Sequence, residues 1–239
     1  MPALQQIRVI AFDADDTLWD CQSHFEEVEN RLYRFIAPYC EAPARELFET
    51  ESGNMADLGY GTKAFTISII ETALRVAGNR VTTEEMTERL SDLLQHCKSL
   101  LRMPSTPLPG VEDTLAAISA AAPAHNLRLV LFTKGELQEQ ENKLTRSGLA
   151  RFFSHVEITS NKTETEFRQL CERLGIQPSE LLMVGNSLKS DIAPALAIGA
   201  SAVHIPFHVT WQLEHSEDIE HERLTKITHF GELRQILNL

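Results

Sequence analysis

The feature that most constrains this chain is a series of short apolar runs, each ending abruptly in a polar cluster. Ile7 to Phe12 is mostly β-branched or aromatic and stops at Asp13, the pattern of a buried strand. Leu127 to Phe132, Leu181 to Val184 and Ala202 to Ile205 have much the same character, and Phe153 to Ile158, though it carries Ser154, His155 and Glu157, reads as a further strand. Between these later runs, Glu136 to Ser147, Glu164 to Leu174 and Leu188 to Ile198 carry helical periodicity, with Gly148 and Gly175 placed to stop the first two. Such alternation specifies an α/β fold, a doubly wound parallel sheet with helices on both faces.

The first strand is separated from the others by a stretch of different character. From Ser23 to about Leu101 the period is helical: Phe25, Val28, Leu32, Phe35 and Ile36 recur at three- and four-residue spacing. A second face runs through Met86, Leu90, Leu93, Leu94, Cys97 and Leu101, entered through Thr82 and Glu85, which are spaced like a capping box. Pro104, Pro107 and Pro109 then break the pattern before the alternation begins. The chain therefore divides into an α/β core, residues 1–20 and 103–239, and an inserted helical module, residues 21–102.

Composition narrows the function. Lys+Arg is 22 against Asp+Glu 34, a net charge of −12, which opposes binding to a nucleic-acid polymer. Met1 to Gln6 lacks the basic-then-apolar order of a signal peptide, and Val9 to Phe12 is too short to span a bilayer. The four cysteines are widely spaced without a C-x-x-C pair, as expected of reduced, structural thiols. A cytoplasmic protein acting on a small phosphorylated molecule is the expectation. Its oligomeric state is not written in these patterns.

In open parallel sheets, ligands collect at the carboxyl ends of the strands, and four polar clusters sit there. Asp13-Ala14-Asp15-Asp16-Thr17 follows the first strand. A carboxylate fixed at that point can attack phosphorus if a cation offsets the repulsion. A second carboxyl two residues on can protonate the leaving oxygen and later deprotonate water. Acidic residues after a strand also serve as loop or helix-cap residues, which is how Asp16 and Asp20 read. Thr133-Lys134-Gly135 offers a hydroxyl and backbone N–H groups at a helix entrance, a phosphate-binding arrangement, although Thr is also a common N-cap. Lys162 could neutralise a phosphoryl group or stand as a solvated surface residue. In Gly185-Asn186-Ser187-Leu188-Lys189-Ser190-Asp191, Asn186 and Asp191 could complete the all-oxygen site that magnesium prefers.

These four clusters, in this order and each on its own strand, resemble the haloacid dehalogenase-like hydrolase superfamily over essentially the whole chain. The resemblance implies a Rossmann-like core with a helical cap after the first motif, and a Mg2+-dependent phosphatase working through an aspartyl-phosphate. It implies Asp13 as nucleophile and Asp15 as acid/base. Thr133, Lys134 and Lys162 would bind the substrate's phosphoryl group. Asp13, the backbone carbonyl of Asp15, Asn186 and Asp191 would hold the metal. One departure is that the superfamily commonly has Asp where this chain has Asn186, whose amide oxygen can ligate but brings no charge.

The same pattern leaves three rivals. A phosphomutase would return the phosphoryl group to a sugar rather than to water. A 2-haloacid dehalogenase needs no leaving-oxygen acid, and the resembling dehalogenases lack an aspartate equivalent to Asp15. A non-catalytic binding protein could keep the fold without turnover. His208, His215 and His221, with Glu214 and Glu222, have no compact ligand spacing and read as a solvated surface stretch. Lys63 reads as a surface lysine, and Phe65, Ile67 and Ile70 read as core.

Overall fold

The computed structural model describes residues 6–239. Met1 to Gln5, most of the stretch read for a signal peptide, lie outside the described residues. The chain forms two compact units, one of Met1–Asp20 with Ser105–Leu239 and one of Cys21–Pro104.

The first unit is built on six parallel strands: β1 (Val9–Phe12), β2 (Arg128–Lys134), β3 (His155–Thr159), β4 (Leu181–Gly185), β5 (Ser201–His204) and β6 (Leu224–Lys226). Their order across the sheet is β3-β2-β1-β4-β5-β6. The first strand in sequence is therefore central, with β2 on one side and β4 on the other. Its four residues are fully buried. Ile10 and Phe12 pack on one face of the sheet with Leu115, Ile118 and Leu144. Val9 and Ala11 pack on the other with Phe167, Leu170 and Ala195. A strand covered on both faces must be apolar at every position, which is why β1 reads as an unbroken run rather than an alternation.

The helices that cover this sheet are α5 (Val111–His125), α6 (Leu137–Ser147), α7 (Glu164–Leu174), α8 (Ala193–Ala197) and α9 (Leu233–Ile236), with the second unit's α1 to α4 lying between β1 and α5 in sequence. α7 starts on a reciprocal capping box between Thr163 and Glu166, and Gly148 and Gly175 end α6 and α7 in left-handed backbone, as their sequence positions predict. Two elements escape the sequence pattern. β6 has only three residues, too few to show a period. α5 is alanine-rich with Pro123 inside it, and a proline that far into a run reads as a helix breaker. The predicted helix 188–198 forms as a π-helical turn, Leu188–Ile192, running into α8.

The second unit consists of α1 (Gln22–Ile36), α2 (Pro43–Leu58), α3 (Thr62–Ala77) and α4 (Thr83–Leu100). Its own core is formed by Val28, Leu32, Ile36, Leu47, Phe65, Ile69, Ala73, Leu93, Cys97 and Leu100. Thr82 caps α4, its side chain accepting from the Glu85 N–H at 3.2 Å. Ile67, expected in the core, is 48% exposed instead, because the helical turn that buries Phe65 and Ile69 carries it to the opposite face. The four cysteines are free thiols. Among the described residues no helix is long and apolar enough to cross a membrane.

Candidate active site

The central position of β1 decides what meets at its carboxyl end. Phe12 pairs with Leu131 of β2 and with Val184 of β4, and the Asp13 N–H continues the ladder to the Val184 carbonyl at 2.9 Å. The first and fourth polar clusters are thus held side by side by backbone hydrogen bonds.

Asp13 is buried, and other motif residues close around it. The Lys162 ammonium donates to Asp13 Oδ1 at 2.5 Å and to Asp191 Oδ1 at 2.7 Å. Thr17 Oγ1 lies 3.1 Å from Asp13 Oδ2 and 3.3 Å from Asn186 Oδ1. The Ser187 N–H donates to Asp191 Oδ2 at 3.0 Å. Lys162 is 3% exposed, so the surface-residue alternative for it is wrong. It follows β3 in a loop that turns inward, where its carboxylate partners compensate its charge.

Gly185 is needed for this arrangement. A Cβ built on it would fall on the Asp191 carboxylate, so the chain can bring Asp191 this close to β4 only without a side chain at 185. Two carboxylates share one ammonium in a dry site, so with all three groups ionised one negative charge is uncompensated. Burial is the main cause that pushes the Asp13 carboxyl up to about 7, with Asp191 adding to it and Lys162 opposing it. The donor atoms at hand are carboxylate and amide oxygens, which suit a hard cation such as magnesium. Among the described residues no three His, Cys, Asp or Glu side chains cluster as a metal site, so such an ion would depend on the Asn186 amide and backbone oxygen as well.

Asp15 lies in a second cluster. Its Oδ1 accepts from Trp19 Nε1 at 2.8 Å and Lys143 Nζ at 2.8 Å; its Oδ2 accepts from Gln140 Nε2 at 2.8 Å and Lys143 Nζ at 2.7 Å. Burial alone would raise this carboxyl, but the charge of Lys143 and the three donors outweigh it and hold it below the usual range. The two aspartates of one motif therefore sit in opposite electrostatic environments.

The second predicted motif is divided. Thr133 is buried at the end of β2, and its hydroxyl lies 3.5 Å from the Lys134 carbonyl. It is not the N-cap of α6; Glu136 is, accepting from the Glu139 N–H at 3.0 Å. The Gly135 N–H is bound to the Thr159 carbonyl at 3.0 Å. Lys134 Nζ donates to Glu214 Oε1 at 2.5 Å and to Ser190 Oγ at 2.7 Å. Glu214 Oε2 also accepts from Ser187 Oγ and Ser190 Oγ, both at 2.6 Å. The Glu214 side chain is only 11% exposed, because three donors at the strand ends draw it in; at this one residue the expected solvated stretch is corrected, whereas His208, His215 and His221 are exposed as expected.

Thr17, Trp19, Gln140, Lys143, Ser187, Ser190 and Glu214 were not assigned roles by sequence reasoning. Thr17 lies within the first motif and could have been found there. Glu139 and Lys143 have the i, i+4 spacing of a solvent-exposed helix pair, which hides the fact that both are buried.

Residues 7–199 match the haloacid dehalogenase-like hydrolases. Over its length the chain is 24% identical to a glyceraldehyde 3-phosphate phosphatase of Methanothermobacter thermautotrophicus, covering 97% of this chain and 100% of that one. It is 30% identical to a phosphoglycolate phosphatase of Salmonella typhimurium, covering 87% and 84%. A haloacid dehalogenase-like family hydrolase from Xanthomonas campestris superposes with a TM-score of 0.84 at 27% identity, covering 98% of this chain and 91% of that one.

Two outcomes are expected from this geometry. Gly185→Ala should displace the Asp191 carboxylate, lowering the unfolding free energy by about 1–3 kcal/mol; chemical denaturation followed by far-UV circular dichroism measures it. The second concerns pH. The Asp13 carboxyl is raised from 3.8 to about 7, so below pH 3.8 its burial costs nothing. As pH climbs toward 7 the folded state holds a proton that the unfolded state releases, and stability falls. In metal-free protein, Asp13→Asn should therefore be more stable than wild type by an increment that grows from near zero at pH 4 to a plateau above pH 7. Thermal unfolding of both proteins across that range, with chelator present, measures the increment.

Proposed function

The chain belongs to the haloacid dehalogenase-like hydrolase family and is a phosphoric monoester hydrolase; from that premise we propose that it is a Mg2+-dependent phosphatase for a small organic phosphate, acting through an aspartyl-phosphate on Asp13. The observation that carries this reading is the burial of Asp13 against Lys162, with Asp191 on the other side of the same ammonium. A nucleophilic carboxylate facing a dianionic phosphoryl group needs that cation, and a dry site strengthens its effect.

Lys162 is within reach of both the nucleophile and an incoming phosphoryl oxygen, so it can lower the repulsion between them. Asp13 Oδ, ionised, attacks phosphorus and the ester P–O bond breaks, while Asp15, having loosened from the donors that keep it ionised and taken a proton from solvent, gives that proton to the departing oxygen. Water then attacks the aspartyl-phosphate, its proton passes to Asp15, and the bond between phosphorus and Asp13 breaks. Thr17, between Asp13 and Asn186, orients the nucleophile. Asp13, the backbone carbonyl of Asp15, Asn186 and Asp191 would hold magnesium. Bound there, the ion would neutralise charge on the phosphoryl oxygens and the nucleophile. Thr133 is a candidate for a phosphoryl oxygen. Lys134 can serve the substrate only by leaving Glu214, so its first role is to tie β2 to the segment after β5. The names of the two phosphatase relatives support a small substrate, within the class of sugar phosphates, nucleotides and phosphorylated acids. The helical unit is the proposed selector of the leaving group.

Asp13→Asn should abolish hydrolysis across a phosphate-ester panel assayed with magnesium, with circular dichroism unchanged; residual turnover at the wild-type rate would remove Asp13 as nucleophile. Asn186→Asp adds a charge to the proposed metal set and should lower the magnesium concentration for half-maximal activity by roughly tenfold. A titration of activity against magnesium decides it, and an unchanged requirement takes Asn186 out of the set.

A further inference from the structure

Lys143 is 1% exposed, among the most deeply buried large side chains of the protein. It projects from α6, one turn after Glu139, whose Oε1 lies 3.7 Å from its Nζ. Its closest partner is Asp15: the ammonium bridges both carboxylate oxygens, at 2.8 and 2.7 Å. Burying an ion pair gains little stability over apolar residues of the same volume, because desolvation offsets the attraction. An interior lysine kept at that cost points to a need for orientation or charge rather than for packing.

The other donors to Asp15 hold one oxygen each, Trp19 on Oδ1 and Gln140 on Oδ2. Gln140 reaches it because Gly135 has no side chain; a Cβ there would lie 2.9 Å from Gln140 Nε2. An ionised carboxylate has about four acceptor sites, and these four bonds fill them. A carboxyl that must give a proton in one half-reaction and take one in the next cannot keep all four. A donor confined to one oxygen is lost when that oxygen carries the proton. A donor that bridges both keeps one contact whichever oxygen is protonated.

We propose that Lys143 is the positioning residue of the acid/base, holding the Asp15 carboxyl in place through both its proton-bearing and its ionised states. The proposal rests on the phosphatase reading above. Its consequence is selective, because Asp15 must protonate a strongly basic alkoxide but need not protonate a stabilised aryloxide. The ratio kcat/KM reports only steps up to transfer of the phosphoryl group to Asp13, whereas kcat also includes attack by water, which needs Asp15 as base.

The test compares p-nitrophenyl phosphate with the best alkyl ester of the panel, in wild type and in Lys143→Met. For the alkyl ester, kcat/KM should fall by roughly 100-fold, the scale of general acid catalysis. For the aryl ester, kcat/KM should change by less than about threefold, while kcat falls and nitrophenol appears as a burst before slow turnover. Loss of Lys143 removes the charge facing Asp15 and the buried Glu139, so Lys143→Met is also made with Glu139→Gln, which removes the neighbouring charge if the single variant does not fold. Gln140→Leu, which vacates one oxygen only, should alter the alkyl-to-aryl ratio far less than Lys143→Met. Equal losses on both esters, or no loss on either, overturn the role of Lys143. A wild-type protein that hydrolyses no ester of the panel overturns the phosphatase reading instead.

Discussion

The structure of the site depends on one ammonium group shared by two carboxylates. Lys162 lies between Asp13 and Asp191 in an interior where none of the three could stay charged alone. The three residues come from the ends of β1 and β4 and the loop after β3, and only the strand order β3-β2-β1-β4 brings those ends together. Small details of the chain follow from this contact. Gly185 leaves room for Asp191, the Ser187 N–H fixes its second oxygen, and Thr17 connects Asp13 to Asn186. The cluster carries more negative than positive charge, which is the condition that draws in a cation or a proton.

The two aspartates of the first motif show how one short segment can supply groups of opposite character. Asp13 is dominated by burial and by the second carboxylate, so its charge is disfavoured. Asp15, two residues on, accepts from three donors, one of them an ammonium, so its charge is favoured. Catalysis as proposed needs both states reversed: a bound cation to favour the charge on Asp13, and loosened donors to let Asp15 take a proton. Here α6 supplies the difference, because its buried face carries Glu139, Gln140 and Lys143 in place of apolar residues. That face costs packing energy in the first unit, which the large apolar clusters on both sides of the sheet offset.

A third polar cluster ties the rim of the sheet together. Glu214 binds Lys134 from the end of β2 and Ser187 and Ser190 from the turn after β4. The turn that carries Asp191 is thereby anchored from outside as well as by Lys162. The charge of Lys134 and the serine hydroxyls hold the Glu214 carboxyl low in spite of its burial. Glu214 makes its part of the segment after β5 a structural member of the rim, while His208, His215 and His221 stay exposed.

The sequence by itself determined the parallel α/β core, the helical insertion and the residues gathered at Asp13. The central strands β1 and β4 are short and apolar, α6 and α7 have their period and a stop glycine, and the polar residues follow the strands directly, so local pattern carries that much. Lys162 and Asp191 were legible by position, although burial of the lysine was not. What only the tertiary structure decided is the pairing: that Asp15 belongs to Lys143 and Gln140, and Lys134 to Glu214. These contacts join residues 125, 128 and 80 positions apart. The helical period marks which residues share a face, but charged residues at i, i+4 look the same whether that face meets water or a buried carboxylate. Desolvation is a property of the packed fold, so the charge state of the site is decided there.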